Sequence, residues 1–146
     1  MKIFALAALG AVAISMAMPA MAQDVPFKDG DYWAVSRIKV DDGHASDYSD
    51  YLAGNWRKQV DWQVSKGYIK GYKVLDNSFP REGEPDVLLI LIYDHMPTNA
   101  EKEARNAAFN AYMATTDRAM DASSGERAKY RHRLGTALYQ EQLWKK

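Results

Sequence analysis

The 146-residue chain has no cysteine. That excludes disulfides, thiol chemistry, iron–sulfur clusters, cysteine-based zinc sites and a lipobox anchor, so the fold must rest on packing alone. It also has no excess of charge, with 19 basic against 19 acidic residues. Partners approached through Lys and Arg, nucleic acid and anionic membrane surfaces, are therefore not expected. The strong catalytic signatures are missing too: there is no phosphate-binding Gly-rich loop with Lys, no dinucleotide fingerprint, no HExxH and no G-x-S-x-G. None of the three histidines has metal-ligand spacing, so no metal site is expected.

What is present begins with "MKIFALAALGAVAISMAMPAMAQ". One cation, Lys2, precedes an apolar, Ala-rich run from Ile3 to Ala17, a breaker at Pro19 and the small-x-small pattern Ala20-Met21-Ala22. This pattern predicts a signal peptide over residues 1–22, cleaved after Ala22, and a periplasmic or secreted product with no membrane contact after cleavage. An uncleaved anchor is the rival reading, against which stand the shortness of the apolar run and the lack of a positive cluster behind it. Removing 22 residues leaves 124, the size of one domain. Lys2 is the only charge lost, so the balance becomes 18 basic to 19 acidic.

Residues 23–30 carry Pro26 and Gly30 and read as a flexible N-terminal arm before a domain over 31–146. "DYWAVSRIKV" alternates as a strand, with Tyr32, Ala34, Ser36, Ile38 and Val40 on one face and Trp33, Val35, Arg37 and Lys39 on the other. After the Gly43 turn, Ser46 is a plausible N-cap for a helix from about Asp47 to Lys66. Tyr48, Leu52, Trp56, Val60 and Val64 form its buried stripe. Tyr51 and Trp62, about 20° apart around an ideal helix, form a second aromatic patch. It suits either contact with the N-terminal arm or helix end, or a ligand surface.

"YIKGYKVLDN" is a second strand and "DVLLILIYDH" a third. Thr98 and Glu101 form a capping box opening a helix to about Met120, "DASSGER" breaks the chain, "RAKYRHR" is a short basic helical piece, and "LGTALYQEQLW" is a last strand. The order β-α-β-β-α-β predicts an α+β, ferredoxin-like domain: a four-stranded antiparallel sheet with two helices on one face. The third strand decides what lies on the other face. Leu88, Ile90 and Ile92 point one way and Val87, Leu89 and Leu91 the other, whereas a sheet face left in water alternates apolar with polar. A second copy of the sheet is the simplest cover and gives a homodimer; a C-terminal segment folded over it is the alternative.

The element order, together with "RIKVDDGHASDY", "SKGYIKGYKVL" and "LGTALYQEQLW", resembles the dimeric α+β barrel superfamily over nearly all of residues 31 to 145. That superfamily includes the antibiotic-biosynthesis monooxygenases, the NIPSNAP and EthD-like proteins and haem-associated relatives. The resemblance is one of architecture and implies a dimeric barrel; it carries no diagnostic catalytic string. The haem-degrading members' strand Asn and helix-two His have no counterpart here, so no cofactor is carried over from them. The cofactor-independent oxygenases imply a pocket between sheet and helices for a phenolic compound. Ala34 and Ser36 are small enough to leave such a pocket under Trp56 and Tyr112, although small residues also occur wherever helices pack tightly.

His95 and Tyr93, at the end of the third strand before a helix N-terminus, are the candidates for catalysis. A neutral imidazole is expected beside the positive helix end, the plain alternative being a loop histidine bonded to Asp94 or to backbone. Ser36, Trp56, Tyr112 and Arg37 are the candidates for ligand binding, with Arg37 expected to pair with Glu141 or a similar strand carboxylate. His44 and His132 are expected to be solvated. These residues suggest a protein that binds or transforms a small apolar or aromatic molecule. A structural or stress-related module without a ligand is the alternative, and haem binding through His95 or His132 is the third reading.

Overall fold

The computed structural model describes residues 25–146. The expected signal peptide and its cleavage site lie outside them. Strand β1 runs Phe27–Val40, followed by α1, Ala45–Tyr51, a π-helical turn, Leu52–Trp56, and α2, Arg57–Ser65. Strands β2, Gly71–Asp76, and β3, Val87–Tyr93, lead to α3, Asn99–Met113, and α4, Asp117–Arg127, and β4, Arg131–Trp144, ends the fold. The chain is thus α+β: a four-stranded antiparallel sheet in the order β2-β3-β1-β4, accompanied by helices.

β1 begins at Phe27, so part of the expected arm is strand. Phe27 pairs with Trp144, their rings 4.4 Å apart, and a β1–β4 ribbon extends past the shorter β2 and β3. Gly135, at φ +126°, sits beside a register shift in this ribbon, where a side chain would be strained.

The capping residue of α1 is His44 and not Ser46, and no side chain bonds the helix end. α1, the π turn and α2 form one helical rod, because the junction residues Leu52 and Arg57 keep right-handed helical dihedrals. The π turn explains the rod's packing. Tyr48 and Val60 are twelve residues apart and would point about 120° apart on an uninterrupted α-helix, yet both are buried at 2% exposure. The wider turn absorbs one residue, about 100° of rotation, and returns both to the same side of the rod. The same insertion drives Tyr51 and Trp62 apart. Tyr51 stacks on Tyr48 and meets the Arg127 guanidinium of α4, while Trp62 meets Tyr68 and, on α3, Phe109 and Tyr112. They are contacts to the later helices, and not one patch facing the N-terminal arm.

The helix expected to reach Met120 stops at Met113, where Ala114 turns left-handed at φ 49°. "DASSGER" is helical: Thr116 caps α4 through its hydroxyl, Asp117 stands in the first turn and Arg127 in the last. Two helices were expected where the structure has three helical rods. The basic piece after it is a turn ending in β4.

Cross-strand partners share a face. Ile38, Leu89, Leu91 and Tyr72 lie on the face that carries the rod, where Ile38 and Leu89 pack with Tyr48, and Tyr72 meets Trp56 and Asp61. Trp33, Val35, Leu88, Ile90, Ile92, Lys73, Leu75 and Tyr139 share the other. There Lys73 Nζ lies over the Trp33 ring, Ile90 is buried, and Leu75 and Tyr139 at the rim are 45% and 59% exposed. Trp33's indole N–H is buried with no acceptor.

Candidate functional site

The helical rod, α3 and the end of β3 enclose a cleft of about 620 Å³. Its position follows from the π turn, which aims Trp62 at α3, and from the Thr98–Glu101 capping box, which fixes where α3 starts. Trp62, Tyr68, Tyr93 and Phe109 supply aromatic wall. Gln59 and Gln63, one helical turn apart on α2, and Asn106 on α3 supply amides; Lys102, Glu103 and Arg105 supply charge. Burial raises the Tyr93 phenol above its ordinary value, opposed by the Arg105 charge, so it stays a neutral donor near pH 7.

Arg105 is the best-held polar group of the cleft. Its Nη1 donates to the Tyr68 carbonyl at 3.1 Å, its guanidinium lies 4.9 Å from the Tyr68 ring centre, and its Nη2 faces Glu101 Oε1 at 3.4 Å. Glu101 Oε2 accepts from the Thr98 N–H at 2.7 Å and the Thr98 hydroxyl at 2.8 Å. These bonds, with His95 beyond them, hold the Glu101 carboxyl at about 2.

His95 stands between two carboxylates. Its Nδ1 is 2.8 Å from Asp94 Oδ1 and its Nε2 is 3.4 Å from Glu101 Oε1. The hydrogen bonds to Glu101 and Asp94 raise its pKa, which favours the imidazolium. That direction runs against the neutral imidazole expected from sequence. The expected bond to Asp94 is present.

The sequence-selected residues do not converge. Tyr93 lines the cleft, and Tyr112 stacks on the back of Trp62 at 5.0 Å between centroids. Trp56 lies at β2, edge-on to Tyr72 at 5.2 Å, and Ser36 shares a 3.0 Å hydrogen bond with Thr136 on β4. Arg37 is exposed on the opposite face, across from Gly135. Glu141 is six residues further along β4, about 20 Å away along a strand, and packs against Gly30, so Arg37 and Glu141 do not pair within one chain. Its neighbour Lys39 pairs with Asp86 at 2.7 Å. His44 and His132 are exposed and bonded to Asp47 and Asp41.

Sequence reading missed Arg105, Phe109, Asn106 and the glutamines. A signal existed: Lys102, Asn106 and Phe109 follow one another at spacings of four and three on α3, a mixed polar and aromatic stripe. Among the described residues no cluster of His and carboxylates could hold a metal ion, and no helix is long and apolar enough to cross a membrane. No known protein family, curated protein or solved structure matches this chain.

Proposed function

We propose that this chain is an exported, periplasmic or secreted protein whose ferredoxin-like domain pairs into a dimeric α+β barrel and binds a small aromatic molecule in the cleft between α2, α3 and Tyr93. The observation that carries the reading is the composition of that cleft. Four aromatic rings and three side-chain amides converge on a volume within the range of small-molecule sites. The rings bind a planar apolar body, and the amides with Arg105 and the Tyr93 hydroxyl orient polar substituents.

Two observations support the barrel. β3 lies between β1 and β2, and β1 lies between β3 and β4, an order compatible with the split βαβ arrangement. The face away from the helical rod is apolar at its centre and ends in the exposed Leu75 and Tyr139, and it buries an indole donor without an acceptor. A second copy covers such a face with a closed two-fold contact. Haem is not part of the proposal, since neither His95 nor His132 is among the residues that line the aromatic cleft.

The test is titration of the purified protein with aromatic alcohols and quinones, followed by tryptophan fluorescence and thermal shift. Saturable binding that weakens in Phe109→Ala is expected. If no such compound shifts either signal, the cleft has no aromatic ligand and the second reading stands, a dimeric structural module, which the exposed apolar rim favours.

A further inference from the structure

Arg105, the cleft cation with hydrogen-bonded side-chain nitrogens, belongs to a chain of charges that crosses one end of the fold. Asp31 on β1 binds Lys70 at 2.7 Å; Asp94 and Glu141 add to the field that raises the Lys70 pKa beyond the Asp31 bond. Asp94 meets His95, His95 meets Glu101, and Glu101 meets Arg105. The signs alternate from Asp31 to Arg105, with Lys102 and Glu103 at the cleft wall beyond. His95 is the one member of this chain whose charge changes near neutral pH.

Glu101 connects the histidine to the cleft. Its Oε2 is committed to Thr98, which leaves Oε1 to two competing cations, His95 Nε2 and Arg105 Nη2, each at 3.4 Å. While His95 is protonated, Oε1 is shared. When the proton leaves, the hydrogen bond at Asp94 keeps the remaining N–H on Nδ1, and Nε2 turns a lone pair toward Oε1. Glu101 then has one cation to satisfy, and Arg105, four residues on along α3, is drawn toward it.

We propose that the proton on His95 sets how tightly Glu101 holds Arg105, and thereby sets the affinity of the cleft for an aromatic carboxylate. The proposal rests on the cleft being a ligand site. Its chemical content is that the ligand class carries an anionic group on an aromatic ring. The ring packs among Trp62, Tyr93 and Phe109, and the anion takes from Arg105 the hydrogen bonds that Glu101 releases. His95 is here a positioning residue.

Benzoate and benzyl alcohol separate the two ideas, because benzoate is ionised throughout the range from pH 5.5 to about 8 and the alcohol is neutral. Tryptophan fluorescence titrations across that range are expected to show benzoate binding strengthen about two- to fivefold toward acid pH, the size that exposed ion pairs carry. Benzyl alcohol binding stays level. In His95→Gln the benzoate affinity becomes independent of pH, and in Arg105→Gln the preference for benzoate over the alcohol disappears. A ligand-free measurement accompanies these: the His95 imidazole titration, followed by NMR, moves to lower pH in Glu101→Gln. Binding of both compounds without pH dependence overturns this proposal and leaves the cleft standing. So does a pH dependence that persists in His95→Gln. Failure of both compounds to bind at any pH overturns both.

Discussion

Glu101 anchors three residues at once: Thr98, by its backbone and hydroxyl, through one oxygen, and His95 and Arg105 through the other. Removing the Thr98 hydroxyl leaves the Glu101 N–H without its 3.3 Å acceptor and loosens the start of α3. Thr98→Ala is expected to cost about 1 kcal/mol in urea unfolding. The acid and base limbs of stability follow from the same residues. Glu101, lowered from 4.5 to about 2, stabilises the fold above its ordinary value and loses that contribution as pH falls from 4.5 toward about 2. His95, raised above 6.5, stabilises it below 6.5 and loses that contribution as pH rises through its raised value. Both contribute between pH 4.5 and 6.5. Thermal unfolding across pH should show a shoulder of stability in that window, and Glu101→Gln should flatten it. These contacts are legible in part: the capping box has a sequence signature, Asp94 is His95's neighbour in the chain and Arg105 stands one helical turn after Glu101, but nothing in the sequence brings Arg105 to the Tyr68 carbonyl.

At the scale of elements, the breaks in the helices are where sequence and structure part. α3 ends at Ala114, whose left-handed dihedrals carry a methyl group where glycine is usual. Ala114→Gly is therefore expected to stabilise the protein by about 1 kcal/mol in the same unfolding experiment. No turn residue marks this break, so helical periodicity alone runs on to Met120; Ser and Gly give "DASSGER" the composition of a loop, although Thr116 and Asp117 form a helix start. The π turn was equally hidden. Its residues, Leu52 to Trp56, continue an ordinary helical pattern, and only the joint burial of Tyr48 and Val60 shows that a residue has been absorbed. The strands were legible because β3 is an uninterrupted apolar run between Asp86 and Asp94 and β1 alternates cleanly from Tyr32 to Val40. The cleft was not, since its walls come from two helices whose mutual rotation the π turn sets.

At the scale of the whole molecule, an apolar sheet face and an aromatic cleft lie on opposite sides of the sheet. The face predicts self-association: sedimentation velocity at micromolar concentration should give a dimer, and Leu75→Glu with Tyr139→Glu should return it to single chains. A lone protomer in the unsubstituted protein would contradict the barrel. The proposed function rests on the cleft, and backbone amide and indole NMR during titration with an aromatic ligand tests it most directly. The account predicts saturable shifts concentrated at Trp62, Tyr93, Arg105 and Phe109; shifts spread over the apolar sheet face, with those four unmoved, would contradict it.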